Sequence, residues 1–267
     1  MYMKLSVFTS MTDPESRNDP YKEALECYED FADELVIVGE DWPYEFKFDK
    51  IGQIFQEGFE KSTGDWVIRM DLDYFIHESD LSKIKNILSK NNGKPAVAFP
   101  QYQFFTPDRY HVKTKICIAM NKKEYPQIIS NGGGDMCLPT LNNVRIDPNK
   151  MPQSRIPIWQ YDSMFRTKKI ISEDRARFAR AWHGYFGDWG DRGGPTPDEA
   201  YEAWYKMIKL KYKKHTLKMR IDNHPKYIRE RLASLESDQF GYDAFGLKNK
   251  INRNLFDYLR GYKHKYF

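Results

Sequence analysis

Two carboxylates one residue apart, Asp71 and Asp73, close the mostly apolar stretch Trp66-Val67-Ile68-Arg69-Met70 and lead into a polar turn. Strand alternation puts both on one side, with Leu72 facing the other. Convergent carboxylates at a strand end suit a hard divalent cation, which keeps waters and takes further oxygens from a substrate diphosphate. A D-x-D triplet alone is weakly specific, since most lie in solvated turns. The helix and buried strand that precede this one give it weight.

Chemistry beside such a site also needs a proton acceptor, and three carboxylates qualify. Asp135 follows Gly132-Gly133-Gly134, whose missing side chains permit close backbone approach to a ligand. A tight turn capped by Asp135 would use the same residues. Asp162 follows Ile158-Trp159-Gln160-Tyr161, and Ile158, Gln160 and Asp162 share one side of a strand. Asp174 ends Ser172-Glu173-Asp174 ahead of a helix read from Arg175 to Trp182, where capping and the helix dipole also account for acids. The order of preference is Asp135, Asp162, Asp174. The glycine-rich stretch Gly184–Pro197 reads as a lid or a linker; as a lid it would bring Trp189 and Arg192 to a bound substrate and exclude water.

The elements that must position these groups alternate. Lys4 to Ser10 and Glu34 to Gly39 read as strands. A helix opens at Pro20, and a second, about Ile51 to Ser62, puts Ile51, Ile54, Phe55, Gly58 and Phe59 on one face. The Asp65–Met70 strand follows. Such alternation implies right-handed crossovers and a largely parallel sheet, with ligands beyond the carboxyl ends of its strands. Thr9, Glu40, Asp41, Asp71 and Asp73 would gather there. Leu81 to Leu88 reads as a helix, and Ala96 to Pro100 and Val112 to Met120 as further strands.

This order, with the helix Ile51-Gly52-Gln53-Ile54-Phe55-Gln56-Glu57-Gly58-Phe59, then Gly64-Asp65-Trp66 and Asp71-Leu72-Asp73, resembles the GT-A glycosyltransferases of the family-2 type. The resemblance covers about residues 4 to 100 well and the rest loosely. It implies a Rossmann-like, mixed and mainly parallel sheet flanked by helices, with a helical C-terminal extension. It also implies a nucleotide-diphosphate sugar donor, Mn²⁺ or Mg²⁺, a hydroxyl acceptor on a glycan or lipid-linked sugar, and inversion at the anomeric carbon. Donor contacts would come from Thr9, Glu40, Asp41, Gln53, Asp71, Trp189 and Arg192. Metal ligands would be Asp71 and Asp73, with His183 as the C-terminal histidine such enzymes often add; a lone His at a helix end is as readily structural. The resemblance also supports a base in a Glu-Asp pair at a helix start, the place of Asp174. Two departures stand out: Gly39-Glu40-Asp41-Trp42 replaces the usual two acids, Gly and Ser, and Phe55-Gln56 stands where a basic residue is common.

At 267 residues the chain can bury a full core. The expected division is a catalytic domain over 1–195, with a donor half to about 100 and an acceptor half beyond, then a basic helical extension over 196–267. Aromatics at 15% suit stacking surfaces, while a net charge of +4 is too small to argue for nucleic acid. Cys27, Cys117 and Cys137 show no metal spacing and fit a reducing compartment. No signal-peptide core opens the sequence, and no apolar run nears the roughly 20 residues of a membrane span, so a cytoplasmic protein is expected. Lys206–Arg220 carries seven Lys or Arg and no acid, with apolar residues interleaved. It suits peripheral contact with an anionic membrane or a solvated helix face packed on the core. The competing functional readings are a nucleic-acid- or glycan-binding module and a sugar nucleotidyltransferase, although the latter's Gly-rich basic loop is absent after the first strand.

Overall fold

The structure is a computed structural model that describes residues 3–45, 47–131 and 138–266. Its elements in chain order are β1 (Leu5–Ser10), α1 (Tyr21–Glu29), β2 (Glu34–Val38), α2 (Phe48–Lys61), β3 (Trp66–Arg69), β4 (Tyr74–Phe75) and α3 (Leu81–Ser89). Then come β5 (Ala96–Thr106), β6 (Arg109–Asn121), β7 (Ile129–Asn131), β8 (Leu138–Leu141), β9 (Val144–Arg145) and β10 (Ile158–Gln160). The chain finishes with α4 (Lys168–Phe186), α5 (Pro197–Tyr212), β11 (Leu217–Lys218), α6 (Lys226–Ala233), α7 (Phe240–Asp243), α8 (Leu247–Lys250) and α9 (Leu255–Tyr266).

Among the described residues the main sheet runs β2-β1-β3-β6-β5-β10-β4, with β11 on β6, and β7-β8-β9 form a small second sheet. Pairing is parallel for β2, β1 and β3 and for β5 with β10; β6 and β4 join antiparallel. This mixed α/β sheet flanked by helices is consistent with the Rossmann-like GT-A fold expected from sequence.

Each face of the sheet has its own core. Under α1, α3 and α6, Tyr28, Ile84, Leu88 and Ile228 pack on Val7, Trp66, Ile68 and Phe99. On the opposite face Ile51, Phe55 and Phe59 of α2 pack on Phe8 and Val67, joined by Cys117, Ile128 and Ile146. Full burial of each such side chain contributes about 1.5–3 kcal/mol. Gly58 lets α2 lie this close, since a Cβ there would stand 2.4 Å from the Phe8 ring. Lys122 then closes the last turn of α2, donating to the carbonyls of Phe59, Glu60 and Ser62.

A third core joins Phe105 of β5 and Ile171 of α4 to Tyr201, Trp204, Ile208 and Tyr212 of α5 and Phe240 of α7. The start of α5 combines Pro197 with a reciprocal cap between Thr196 and Glu199. The basic stretch Lys206–Arg220 is therefore divided between the end of α5, a turn and β11, with Ile208 and Leu217 buried and Leu210 exposed. Among the described residues no helix is long and apolar enough to cross a membrane.

Candidate active site

β3 delivers the D-x-D by continuing its hydrogen bonding one residue past the strand, with Met70 N–H donating to Phe8 O. The chain then turns, Tyr74 N–H reaching Asp71 O at 2.8 Å. The Tyr28 hydroxyl, buried beneath this turn, lies 2.6 Å from Asp71 O and 2.9 Å from Tyr74 O. One phenol from α1 thus fixes the backbone that carries both carboxylates. Asp71 is half-buried, 3.7 Å from Arg69, whose guanidinium lies over the Phe55 ring.

The second half of the site arrives through a distant strand. β10 pairs antiparallel with β4, so Tyr161 N–H donates to Asp73 O at 3.1 Å and Asp162 comes up beside Asp73. Asp162 has a left-handed backbone, φ 38°, which Asp and Asn tolerate better than most residues. Its carboxylate accepts from Ser163 Oγ at 3.0 Å and Gln103 Nε2 at 3.4 Å, with Arg175 of α4 at 3.7 Å.

The electrostatics separate the two acids. Burial first, then Asp71, Asp162 and Asp19, push the Asp73 carboxyl well above the usual carboxylate range, and Arg166 offsets this only in part. Burial also opposes ionisation of Asp162, but Arg175, Lys113, Lys211 and Arg166 outweigh it and hold that carboxyl below the usual range. A corner with one ionised acid and one crowded toward its neutral form is a common acid–base arrangement.

Asp174 lies in the second turn of α4, not ahead of the helix as its sequence suggested. Thr167 caps α4 instead, seven residues earlier, accepting from Ile170 N–H. Asp174 is bound by Arg166 at 3.0 Å, Arg177 at 3.1 Å and Arg17 at 3.5 Å. Although burial opposes ionisation, Arg17, Arg166, Arg175 and Arg177 hold it far below the ordinary range, and ion pairs with Arg17, Arg166 and Arg177 occupy its oxygens. Arg166 also binds the buried Asp19 through Nε and Nη2, at 3.0 and 2.6 Å. The loop after β1 and the start of α4 are tied together across the site by this network.

A row of amides extends from Asp162 along one sheet face. Gln101 and Gln103 alternate on β5, and the parallel register places Gln160 of β10 opposite Gln103. Gln101 donates to the Tyr74 hydroxyl at 2.9 Å, and Lys113 donates to Gln160 at 3.4 Å. All three glutamines are buried, and Gln103 Oε1 is an acceptor without a partner among the described residues. Amides both donate and accept, as recognition of sugar hydroxyls requires. Sequence reasoning used Gln160 only as a strand marker and missed Gln101 and Gln103; the signal was two polar residues at period two within an aromatic strand. It also missed Arg166, Arg17 and Asp19, which no local pattern distinguishes.

The remaining candidates are scattered. Thr9 is fully buried near the end of β1, with its hydroxyl unpartnered among the described residues. Glu40, Asp41 and Gln53 are exposed. The loop after β2 is pinned to α4, where Arg177 donates to Tyr44 O at 3.2 Å and Arg180 pairs with Glu45. His183 stacks on Trp189 with ring centroids 4.2 Å apart, and Arg192 lies over Trp182 and Phe178. His183 is eight residues beyond Arg175, about 12 Å along the α4 axis. The structure thus joins His183, Trp189 and Arg192 to one another rather than to Asp71 and Asp73. Among the described residues no three His, Cys, Asp or Glu side chains converge to hold a metal ion. Asp135 lies outside the described residues, as does Cys137.

No family model matches the chain, and no curated protein matches it. Among solved structures, S. aureus TarS 1-349 aligns over 98% of this chain and 90% of its own, at 11% identity and TM-score 0.34. A longer S. aureus TarS structure aligns over 96% of this chain and 54% of its own, at 11% identity and TM-score 0.33. TarS 1-349 in complex with UDP-GlcNAc aligns over 98% and 90%, at 10% identity and TM-score 0.34. Similarity at this level assigns no role to any residue of this chain.

Proposed function

We propose that this protein is a glycosyltransferase that moves a sugar from a nucleotide-diphosphate donor to an acceptor hydroxyl, with inversion at the anomeric carbon. The observation that carries the reading is the juxtaposition of Asp162 with Asp71 and Asp73, beside the buried amides of Gln101, Gln103 and Gln160.

Asp71 and Asp73 fit a divalent cation, because Asp73 sits among Asp71, Asp162 and Asp19 with more negative charge than Arg166 offsets. Two carboxylates with no third His, Cys, Asp or Glu converging among the described residues would suit Mg²⁺ or Mn²⁺, hard cations that accept few protein ligands. When bound, such an ion supplies electrostatic stabilisation to the departing diphosphate. Asp162, held ionised by Arg175 and its basic neighbours, accepts the proton of the acceptor hydroxyl as that oxygen attacks the anomeric carbon. A single displacement of this kind inverts the centre, and no nucleophile from the protein is needed. The glutamines orient sugar hydroxyls, and Tyr28 keeps the D-x-D turn in register. Thr9 contributes its unpartnered hydroxyl to the nucleotide end.

The test is a thermal-shift panel of UDP, GDP, CMP and dTDP, each with Mn²⁺, Mg²⁺ or EDTA, because a ligand of the folded state raises the midpoint by mass action. A metal-dependent shift with one nucleotide, lost in Asp73→Asn, is expected. Absence of any nucleotide shift in metal-loaded protein refutes the transferase and favours a binding module.

A further inference from the structure

The face that carries Asp162 continues into a cavity of about 180 Å³ between β6 and the small β7-β8-β9 sheet. Its lining includes Arg69, Lys113, Lys115 and Arg145 and, among the described residues, no carboxylate. The cations come from three strands. Arg69 ends β3, Lys113 and Lys115 alternate on β6, and Arg145 belongs to β9. The chain as a whole is nearly balanced, with 42 basic and 38 acidic residues, so four bases and no acid among the described lining residues is a local concentration, with Asp71 3.7 Å from Arg69 as a neighbouring counter-charge. Apolar walls from Cys117, Ile118, Met120 and Leu138 lower the dielectric around those charges and strengthen their pull on an anion.

Size and place narrow the ligand. Pockets for whole drug-sized ligands run to roughly 300–1,000 Å³, so this cavity suits one substituent rather than a complete nucleotide-sugar. Its lining, among the described residues, holds none from β1 or β2, beyond whose ends the nucleotide is expected. Lys113 bridges to Gln160, which lies opposite Gln103, the amide that reaches Asp162. The cavity is thus linked through these amides to the carboxylate proposed to receive the acceptor's proton.

We propose that this cavity binds an anionic substituent of the acceptor, a phosphate or a carboxylate, and so selects a charged glycan acceptor over a neutral one. The proposal rests on the transferase reading for the word acceptor, while anion binding itself can be measured without it.

The experiment titrates the whole protein calorimetrically with glucose 6-phosphate, glucuronate and glucose, with and without the nucleoside diphosphate that the thermal panel selects. The two charged probes are expected to bind and glucose to bind far more weakly. Stronger binding of glucose 6-phosphate assigns a phosphate, and stronger binding of glucuronate a carboxylate. The Lys115→Gln/Arg145→Gln double variant replaces two exposed side chains, so its thermal midpoint should match the parent. It should lose about tenfold or more in affinity for the charged probe, as removal of charge-assisted contacts implies, with nucleotide binding unchanged. Equal binding of glucose and the charged probes overturns the proposal, as does an unaffected double variant. Direct competition between the probe and the nucleotide also overturns it, since the cavity would then be the diphosphate seat. Binding of the charged probe by a protein that binds no nucleoside diphosphate would remove the transferase reading and leave the anion site standing.

Discussion

Replacing Arg166 with Met tests the network on which the site geometry rests. Arg166 is 7% exposed and donates through Nε and Nη2 to one oxygen of Asp19, itself 6% exposed, and through Nη1 to Asp174. In Arg166→Met the side-chain stem is kept, so the loss is almost wholly electrostatic. Asp174 retains Arg177 at 3.1 Å and Arg17 at 3.5 Å, whereas Asp19, among the described residues, retains only Arg17, at 3.5 Å. The cost is therefore close to that of one buried carboxylate stripped of its partner, about 3–5 kcal/mol. For a chain of this length about 2–3 °C is lost per kcal/mol, so the thermal midpoint should fall by about 6–15 °C. Urea unfolding should show an earlier midpoint with an unchanged slope. Adding Asp19→Asn to the variant should restore a large part of the loss, because the stranded charge is then gone. A loss under about 1 kcal/mol, or no recovery in the double variant, would refute the assignment of Arg166 as the tie between the loop after β1 and α4.

Three further outcomes follow from the same geometry. Asp162→Asn should keep the left-handed backbone and the bond to Ser163, leave donor binding unchanged, and slow release of nucleoside diphosphate from the donor by about 10²–10⁴-fold; turnover within about tenfold of the parent would exclude Asp162 as the base. Asp73 has its folded pKa raised, so the folded state holds more protons than the unfolded one above the ordinary carboxylate pKa, and stability drops as pH rises through that window. Asp73→Asn should therefore raise the melting temperature of metal-free protein at neutral pH but not in strong acid. In the parent, metal must displace a proton, so the metal-dependent nucleotide shift should weaken as pH falls, and a flat profile would count against Asp73 as a ligand. Gly58→Ala places a methyl 2.4 Å from the buried Phe8 ring. That overpacking, about 1–3 kcal/mol, should exceed the helix propensity gained, at most about 1 kcal/mol, and a more stable variant by urea melt would show that α2 can shift.

The sequence by itself determined the local frame. The alternation of strand and helix through the first hundred residues and the apolar face of α2 follow from side-chain periodicity, whereas Asp71 and Asp73 lie in the turn after β3, beyond the strand whose alternation would align them. Periodicity is a property of neighbours in the chain, so it survives without knowledge of what packs where. The tertiary structure decided which distant groups meet that pair. Asp162 reaches Asp73 only because β10 pairs with β4 through Trp159–Phe75 and Gln160–Tyr74, partners 84 and 86 residues apart in a register that no single segment encodes. Asp174 looked like a cap and became an interior residue gripped by three arginines, because Thr167 starts the helix earlier and Arg17 and Arg166 arrive from separate loops. His183, Trp189 and Arg192 carry suitable chemistry but pack with one another on α4 and its following loop. Residue type states what a side chain can do; long-range strand pairing and buried charge balance select which side chains do it together, and neither is written in local spacing.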